Sequence, residues 1–468
     1  MKRDLEQLRK EIAALDKEIL QLSKKRMLIA DEVGKIKRSD NIPLVNYVSE
    51  ASVLKRAEAV AGDETLDLNF ARRLVSTLVE ESVRIQTGPQ KNRAEYLYSM
   101  FEKAESLENR GKKLIRLDVG EPDITAPQEL KNALRDSLYG NNHIGYVSSK
   151  GLLELREAVV NTLNERYDID LGADQVLITP GGKFAIFSAI LAMISQQDRA
   201  LIPEPTWPVY GNIVRLAGGR EDVLHTRLEE SWSICSDKLF DMLQVHPKLL
   251  ILCSPNNPSG KVFGEKELTE IVEAAGKSGT HILTDEVYES YSPTPIKSIL
   301  ELVDSNFIYV NTFSKRYGMT GWRIGYAISD KETINRMQSV LQLSITCVPE
   351  FIQKAAMVAL KMEQKTYDEY AKKMQNRIDI ACKELDKQPV KYVRPEGGMY
   401  VYPRAEIKGF DSEVFAHKLL DETGVAMTPG EAFGDYPEHL RISLGTDIEE
   451  IREGIRIMGG SLQEWSRK

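Results

Sequence analysis

The stretch 311–327, NTFSKRYGMTGWRIGYA, follows a β-like run at 307–310, so Lys315 should sit just past a strand end, on a turn. Small and polar neighbours (Thr312, Ser314, Gly318, Thr320, Gly321) let other groups approach closely. Eight residues on, Arg323 offers a second fixed cation. A lysine placed this way can form a Schiff base, and a nearby arginine can hold a phosphate by two parallel hydrogen bonds. Pyridoxal phosphate, an aldehyde that carries its own phosphate, needs both. A lysine followed by an arginine is also an ordinary solvated surface pair. The remaining contacts have to decide.

Those contacts must come from the ends of secondary-structure elements. Short β-rich runs at 176–179, 249–252, 281–284 and 307–310 alternate with helical patterns, which argues for a mainly parallel sheet wrapped by helices. After the first run come Pro180-Gly181-Gly182-Lys183 and an apolar helix, a glycine turn at a helix N-terminus whose backbone N–H groups can bind phosphate. After the second comes Cys253-Ser254-Pro255-Asn256-Asn257-Pro258-Ser259-Gly260, and after the third Asp285-Glu286-Val287-Tyr288. A carboxylate at a strand end can keep a pyridine nitrogen protonated. Asn257 and Tyr288 can hydrogen-bond the ring's 3-oxygen, and Trp207, in Pro205-Thr206-Trp207-Pro208-Val209-Tyr210, offers a face for stacking. Each has a duller reading: Asp285 as a helix cap, Trp207 as core, Asn257-Pro258 as a plain turn. All of them in this order ahead of Lys315 make coincidence a poor explanation.

The set resembles the class I and II aminotransferases of pyridoxal phosphate fold type I, over essentially all of 93–468. The resemblance implies Lys315 as the Schiff-base lysine and Arg323 with Thr312 on the phosphate. Tyr146, in the run HIGY at 143–146, would reach the phosphate of a neighbouring subunit. The run LRISLG at 440–445 matches the segment whose arginine, here Arg441, clamps the substrate α-carboxylate, with Gly120 of DVGEPD backing it through its N–H and Asn257 beside it. In relatives acting on aspartate or prephenate, a lysine after the paired glycines meets a distal carboxylate. That gives Lys183 a substrate contact; the alternative is a solvated charge at the pocket mouth. Carbon–sulfur lyases share most of these residues, so transamination rests on the closeness of the resemblance.

The first 90 residues follow another pattern. Leu5, Leu8, Ile12, Leu15, Ile19, Leu22, Ile29, Val33 and Ile36 recur at alternating steps of three and four, as on one long helix buried along a seam. Arg26 stands where an aliphatic residue is due, so it is a register device or a ligand group. Lys37 lies about three turns later on nearly the same face, whereas Arg9 is roughly 25 Å away along the axis, too far to serve the same site within one chain. A break at 39–43 precedes a second helix near 49–61 and a third near 68–85, where Ser82 and Gln86 share a face. These three helices resemble the all-helical chorismate mutases. Carried over, the resemblance makes Arg26, Lys37, Glu50, Ser82 and Gln86 one site, completed by Arg9 of a second subunit. Chorismate rearranges to prephenate without covalent help, so cations for its carboxylates, Lys37 and Gln86 for the ether oxygen and Glu50 for a hydroxyl would suffice. The family's usual Asp-x-x-Arg-Glu reads Asn46-Tyr47-Val48-Ser49-Glu50 here, which puts efficiency in question.

Breakers at 87–90 end the helical pattern, so the expected plan is a mutase-like helical domain at 1–90 and an aminotransferase at 91–468. Within the latter, a large domain about 135–350 and a smaller α/β domain of 91–134 with 351–468 are expected. A net charge of −8 argues against nucleic acid. Residues 1–90 hold 16 Lys and Arg against 15 Asp and Glu, too balanced for a DNA-reading module. No apolar run approaches ~20 residues, no signal peptide is expected from the charged, amphipathic opening, and four scattered cysteines read as reduced thiols of a cytoplasmic protein. Six scattered histidines give no metal cluster. The expectation is a homodimeric, bifunctional enzyme with pyridoxal phosphate as cofactor, chorismate, prephenate, amino acids and keto acids as substrates, and no metal. The rival is an aminotransferase whose front end only dimerises or senses an aromatic ligand.

Overall fold

The computed structural model describes residues 4–40, 42–62, 66–87, 93–140, 144–303 and 305–467. Gly88–Pro89–Gln90 of the expected boundary and His143 of the HIGY run lie outside them. The chain divides into two units, Met1–Lys91 and Asn92–Lys468.

The first unit is three helices: α1 (Leu5–Ser39), α2 (Tyr47–Ala61) and α3 (Leu68–Thr87). Helix α2 starts where the Asn46 side chain accepts from the Ser49 N–H at 2.8 Å, and α3 where Asp67 accepts from the Phe70 N–H at 2.7 Å. Ala30 and Gly34 are the buried residues of α1. The close approach of α3 requires a glycine at 34, since a Cβ there would stand 2.8 Å from Gln86 Cγ. The apolar seam departs from expectation. Ile12, Leu15, Ile19, Leu22, Ile29 and Ile36 are each more than half exposed, because within the unit α3 packs on the face of α1 that carries Ala30 and Gly34.

In the second unit a seven-stranded sheet carries the strand ends read from the sequence. Its strands are β1 (Val176–Thr179), β2 (Arg199–Glu204), β3 (Arg220–His225), β4 (Leu249–Cys253), β5 (His281–Asp285), β6 (Phe307–Thr312) and β7 (Gly325–Ser329). They run in the order β1-β7-β6-β5-β4-β2-β3; β7 is antiparallel to both its neighbours and the other pairings are parallel. Covered on both faces, β1, β4 and β6 are nearly continuous apolar runs, whereas the edge strand β3 is mixed and only partly buried. One core, from Leu177 to Leu341, packs helices on this sheet. A second joins Met100, Ala104 and Leu117 to residues 374–462 and takes in Tyr288 and Tyr291. Helix α4 (Arg93–Asn109), which the sequence reading did not single out, begins the unit. Among the described residues no helix is long and apolar enough to cross a membrane.

A third, smaller cluster gathers Trp232, Tyr402, Phe433 and Tyr436. His439 stacks on Tyr402 at 4.8 Å, with both ring nitrogens buried and unpartnered. Burial lowers its pKa to about 3. An unfolded histidine takes a proton near pH 6.5, so below that pH the unfolded chain binds more protons than the folded one and stability falls. His439 should contribute ~1.4 kcal/mol of loss per pH unit from about 6.5 downward. Chemical denaturation between pH 7 and 5 checks this: His439→Phe should show a shallower pH slope than wild type.

Candidate functional site

Lys315 lies on a single helical turn, Phe313–Arg316, directly after β6, rather than on an open turn. Its Nζ donates to the Gly120 carbonyl at 2.5 Å and stands 5.6 Å from the Tyr288 ring centre. Burial lowers its pKa to about 8; Glu121 pulls it up, while Arg323 and Arg441 push it further down. The result is an amine that is partly neutral near physiological pH, as a nucleophile or base requires.

Asp285 ends β5, next to β6, and is buried. Burial raises its pKa to about 6 against the lowering effect of a 2.6 Å hydrogen bond from the Tyr210 hydroxyl and one from the Val287 N–H. Tyr288 shares a 3.0 Å hydrogen bond with Tyr400, and Trp207 meets Tyr210 edge-on at 5.5 Å. Neither Tyr210 nor Tyr400 was assigned a role from sequence. Tyr210 follows Trp207 by three residues, a spacing that could have flagged it.

Gly182 opens the helix Gly182–Met193 against the end of β6. A Cβ on Gly181 would come within 2.7 Å of the Arg323 guanidinium, and one on Gly325 within 2.7 Å of the Gly182 N–H. Arg323 itself takes φ 55°, left-handed backbone that costs a non-glycine residue roughly 1–2 kcal/mol, a strain that functional positions retain. Its Nη1 donates to the Thr320 carbonyl at 2.8 Å; Thr312 is buried and donates to the Ile324 carbonyl at 3.0 Å. Pyridoxal phosphate fits this set: a weakly charged buried amine for the aldehyde, a buried carboxylate for the ring nitrogen, and for the phosphate a guanidinium beside glycines that leave room at a helix N-terminus.

Arg441 is buried between the rings of Tyr400 and Phe433, at 4.6 and 4.8 Å. It donates to Asn257 Oδ1 at 3.1 Å, the Asp118 carbonyl at 2.5 Å and Thr428 Oγ1 at 3.2 Å, and its Nε is unpartnered. Gly120 meets Lys315 through its carbonyl, so its link to the Arg441 side is the Asp118–Gly120 loop itself. That loop is braced by Arg116 on Asp118 (2.8 Å) and by Arg377 on Asp123 (2.7 and 2.6 Å). Lys183 is exposed; its Nζ donates to the Tyr98 hydroxyl of α4 at 3.1 Å and lies 5.2 Å over the Trp207 ring. Tyr146 is 88% exposed and touches none of this cluster.

In the first unit Arg26 donates to the Leu78 carbonyl and to Ser82 Oγ. Lys37 donates to the Leu44 carbonyl at 2.6 Å. Ser82, Gln86 and Glu50 are buried, and Gln86 Oε1 has no hydrogen-bond partner. Arg9 stands apart, exposed on α1. Asn46 spends its side chain capping α2, which accounts for its place in this chain.

The comparisons divide the chain at the same place. Residues 112–458 match the family Aminotransferase class I and II, and residues 8–87 match Chorismate mutase type II. An aspartate aminotransferase of Thermotoga maritima is 33% identical over 75% of this chain and 92% of its own length. A probable aspartate/prephenate aminotransferase of Aquifex aeolicus is 32% identical, over 77% of this chain and 94% of its own. A crystal structure of aspartate aminotransferase from Thermotoga maritima superposes with TM-score 0.74 at 31% identity, covering 81% of this chain and 99% of that one.

Proposed function

Because the chain belongs to the class I and II aminotransferases and carries a type II chorismate mutase segment ahead of that unit, we propose that it rearranges chorismate to prephenate and transaminates prephenate or a related keto acid in aromatic amino-acid biosynthesis. The transferase unit works with pyridoxal phosphate, which when bound supplies an electron sink conjugated to the substrate Cα. Lys315 Nζ, partly neutral, takes the Cα proton and returns it. Asp285 holds the ring nitrogen, Asn257 and Tyr288 the ring oxygen, and Trp207 one ring face. Arg323, Thr312 and Gly182 hold the phosphate, with Tyr146 reaching that of a second copy. Arg441, backed by the 118–120 loop and Asn257, grips the α-carboxylate. The two cores support a large domain at 135–350 and a small one of 91–134 with 351–468.

In the helical unit Arg26, Lys37, Glu50, Ser82 and Gln86 form the mutase site, and Arg9 of a second copy completes it. The uncovered seam of α1 supports this homodimer: six large aliphatic residues on one stripe want a partner helix. A cytoplasmic location fits the composition.

The observation that carries the substrate assignment is the position of Lys183. Its amine is held at the Tyr98 hydroxyl beside the ring-stacking Trp207, so a charge stands where the far end of a substrate would lie. Every substrate shares the α-carboxylate, so selection must come from that end. A charge-assisted hydrogen bond there is worth ~1.5–3 kcal/mol, about tenfold to a hundredfold in specificity. A keto-acid panel with glutamate and aspartate as donors tests it. Prephenate or a four- or five-carbon dicarboxylic keto acid should be preferred to phenylpyruvate, and Lys183→Met should narrow the gap. Equal kcat/KM values unchanged by the substitution would leave a general aromatic aminotransferase.

A further inference from the structure

Helix α4 touches both ends of the acid-binding region. Tyr98 meets Lys183 at one end. At the other, Tyr96 and Leu97 pack on the cluster of Tyr402, Phe433 and Tyr436, whose Phe433 ring lies on the Arg441 guanidinium. Met100 and Ala104 seat the middle of the helix in the second core, and its first residue adds a buried ion pair at the N-terminal end. Arg93 pairs with Glu204, which is 3% exposed at the end of β2. The second oxygen of Glu204 has no hydrogen-bond partner; His225 Nδ1 stands 3.6 Å from it. The pair, Trp207 and Phe433 line a common cavity of about 20 Å³. A buried carboxylate this poorly satisfied costs stability without its cation, so Arg93 is held in place and α4 with it.

We propose that the Arg93–Glu204 pair is a latch that seats α4, so that Arg93 is a positioning residue for keto-acid binding, acting through Tyr98 on Lys183. The latch rests on the transaminase reading but not on which acid Lys183 selects. It predicts a loss in substrate capture rather than in chemistry, since neither residue reaches Lys315 or Asp285.

Arg93→Met alone would strand the Glu204 charge and could unfold the region, so the test is the double variant Arg93→Met, Glu204→Gln in the full chain loaded with pyridoxal phosphate. Expected is a KM for 2-oxoglutarate raised about tenfold, equivalent to ~1.4 kcal/mol, with kcat within about twofold and the cofactor absorbance unchanged. Limited chymotrypsin should cut α4 at Tyr96–Phe101 faster than in wild type. Tyr98→Phe should raise KM in the same sense, and combining it with the latch variant should add little. An equal KM rise for phenylpyruvate keeps the latch and retires the distal-carboxylate role of Lys183. Unchanged KM and unchanged cleavage, or full additivity with Tyr98→Phe, overturns the latch.

Discussion

Lys315→Ala should abolish transamination while leaving chorismate turnover at the wild-type level. The variant loses both the amine aimed into the cluster of Gly120, Tyr288 and Asp285 and the base that moves the Cα proton. Removing a positioned base alone costs ~10²–10⁴-fold in rate, and the covalent anchor adds to that. The visible absorbance of the lysine-bound cofactor should vanish, a spectroscopic result independent of activity. The fold should survive, because the lysine is desolvated at a cost and its removal relieves it. Normal turnover by this variant would contradict the assignment.

Arg26→Ala should lower chorismate kcat/KM by about 10²–10³-fold, the usual loss for one preorganised donor, and leave transamination near wild type. Arg26 is half-buried and bonds two groups of α3, so truncation also threatens packing. Arg26→Met separates the two, keeping the aliphatic stem against α3 while removing the charge. A stable Arg26→Met protein without mutase activity marks a ligand group. If it is more stable and still turns over chorismate, Arg26 is a structural feature of the α1–α3 contact.

The sequence was most legible where chemistry sits at the end of a periodic element. The runs at 176–179, 249–252, 281–284 and 307–310 are strands within one or two residues, since strands covered on both faces of a sheet are mostly apolar. Lys315 and Asp285 therefore fall at neighbouring strand ends. What sequence could not supply was contact made by register. Thr428 reaches Arg441 because the two are directly paired across strands, and Tyr400 is brought beside Tyr288 by its pairing with Ser443. Neither pairing leaves a local signal. The α1 seam failed in an instructive way: its period is right for a buried stripe, but periodicity states only that a partner is needed, and α3 is not it. Helix α4 carries no chemical motif of its own, and Tyr98 acquires meaning only from Lys183, 85 residues on.

The claim that one chain carries two chemistries is tested most directly by following chorismate absorbance with the purified full-length protein, with pyridoxal phosphate and no amino donor present. Disappearance of chorismate at an enzymatic rate, unaffected by Lys315→Ala and lost in Arg26→Ala, is the predicted result. Chorismate that persists while the same preparation transaminates keto acids would contradict it and leave the helical unit a dimerising or ligand-sensing module.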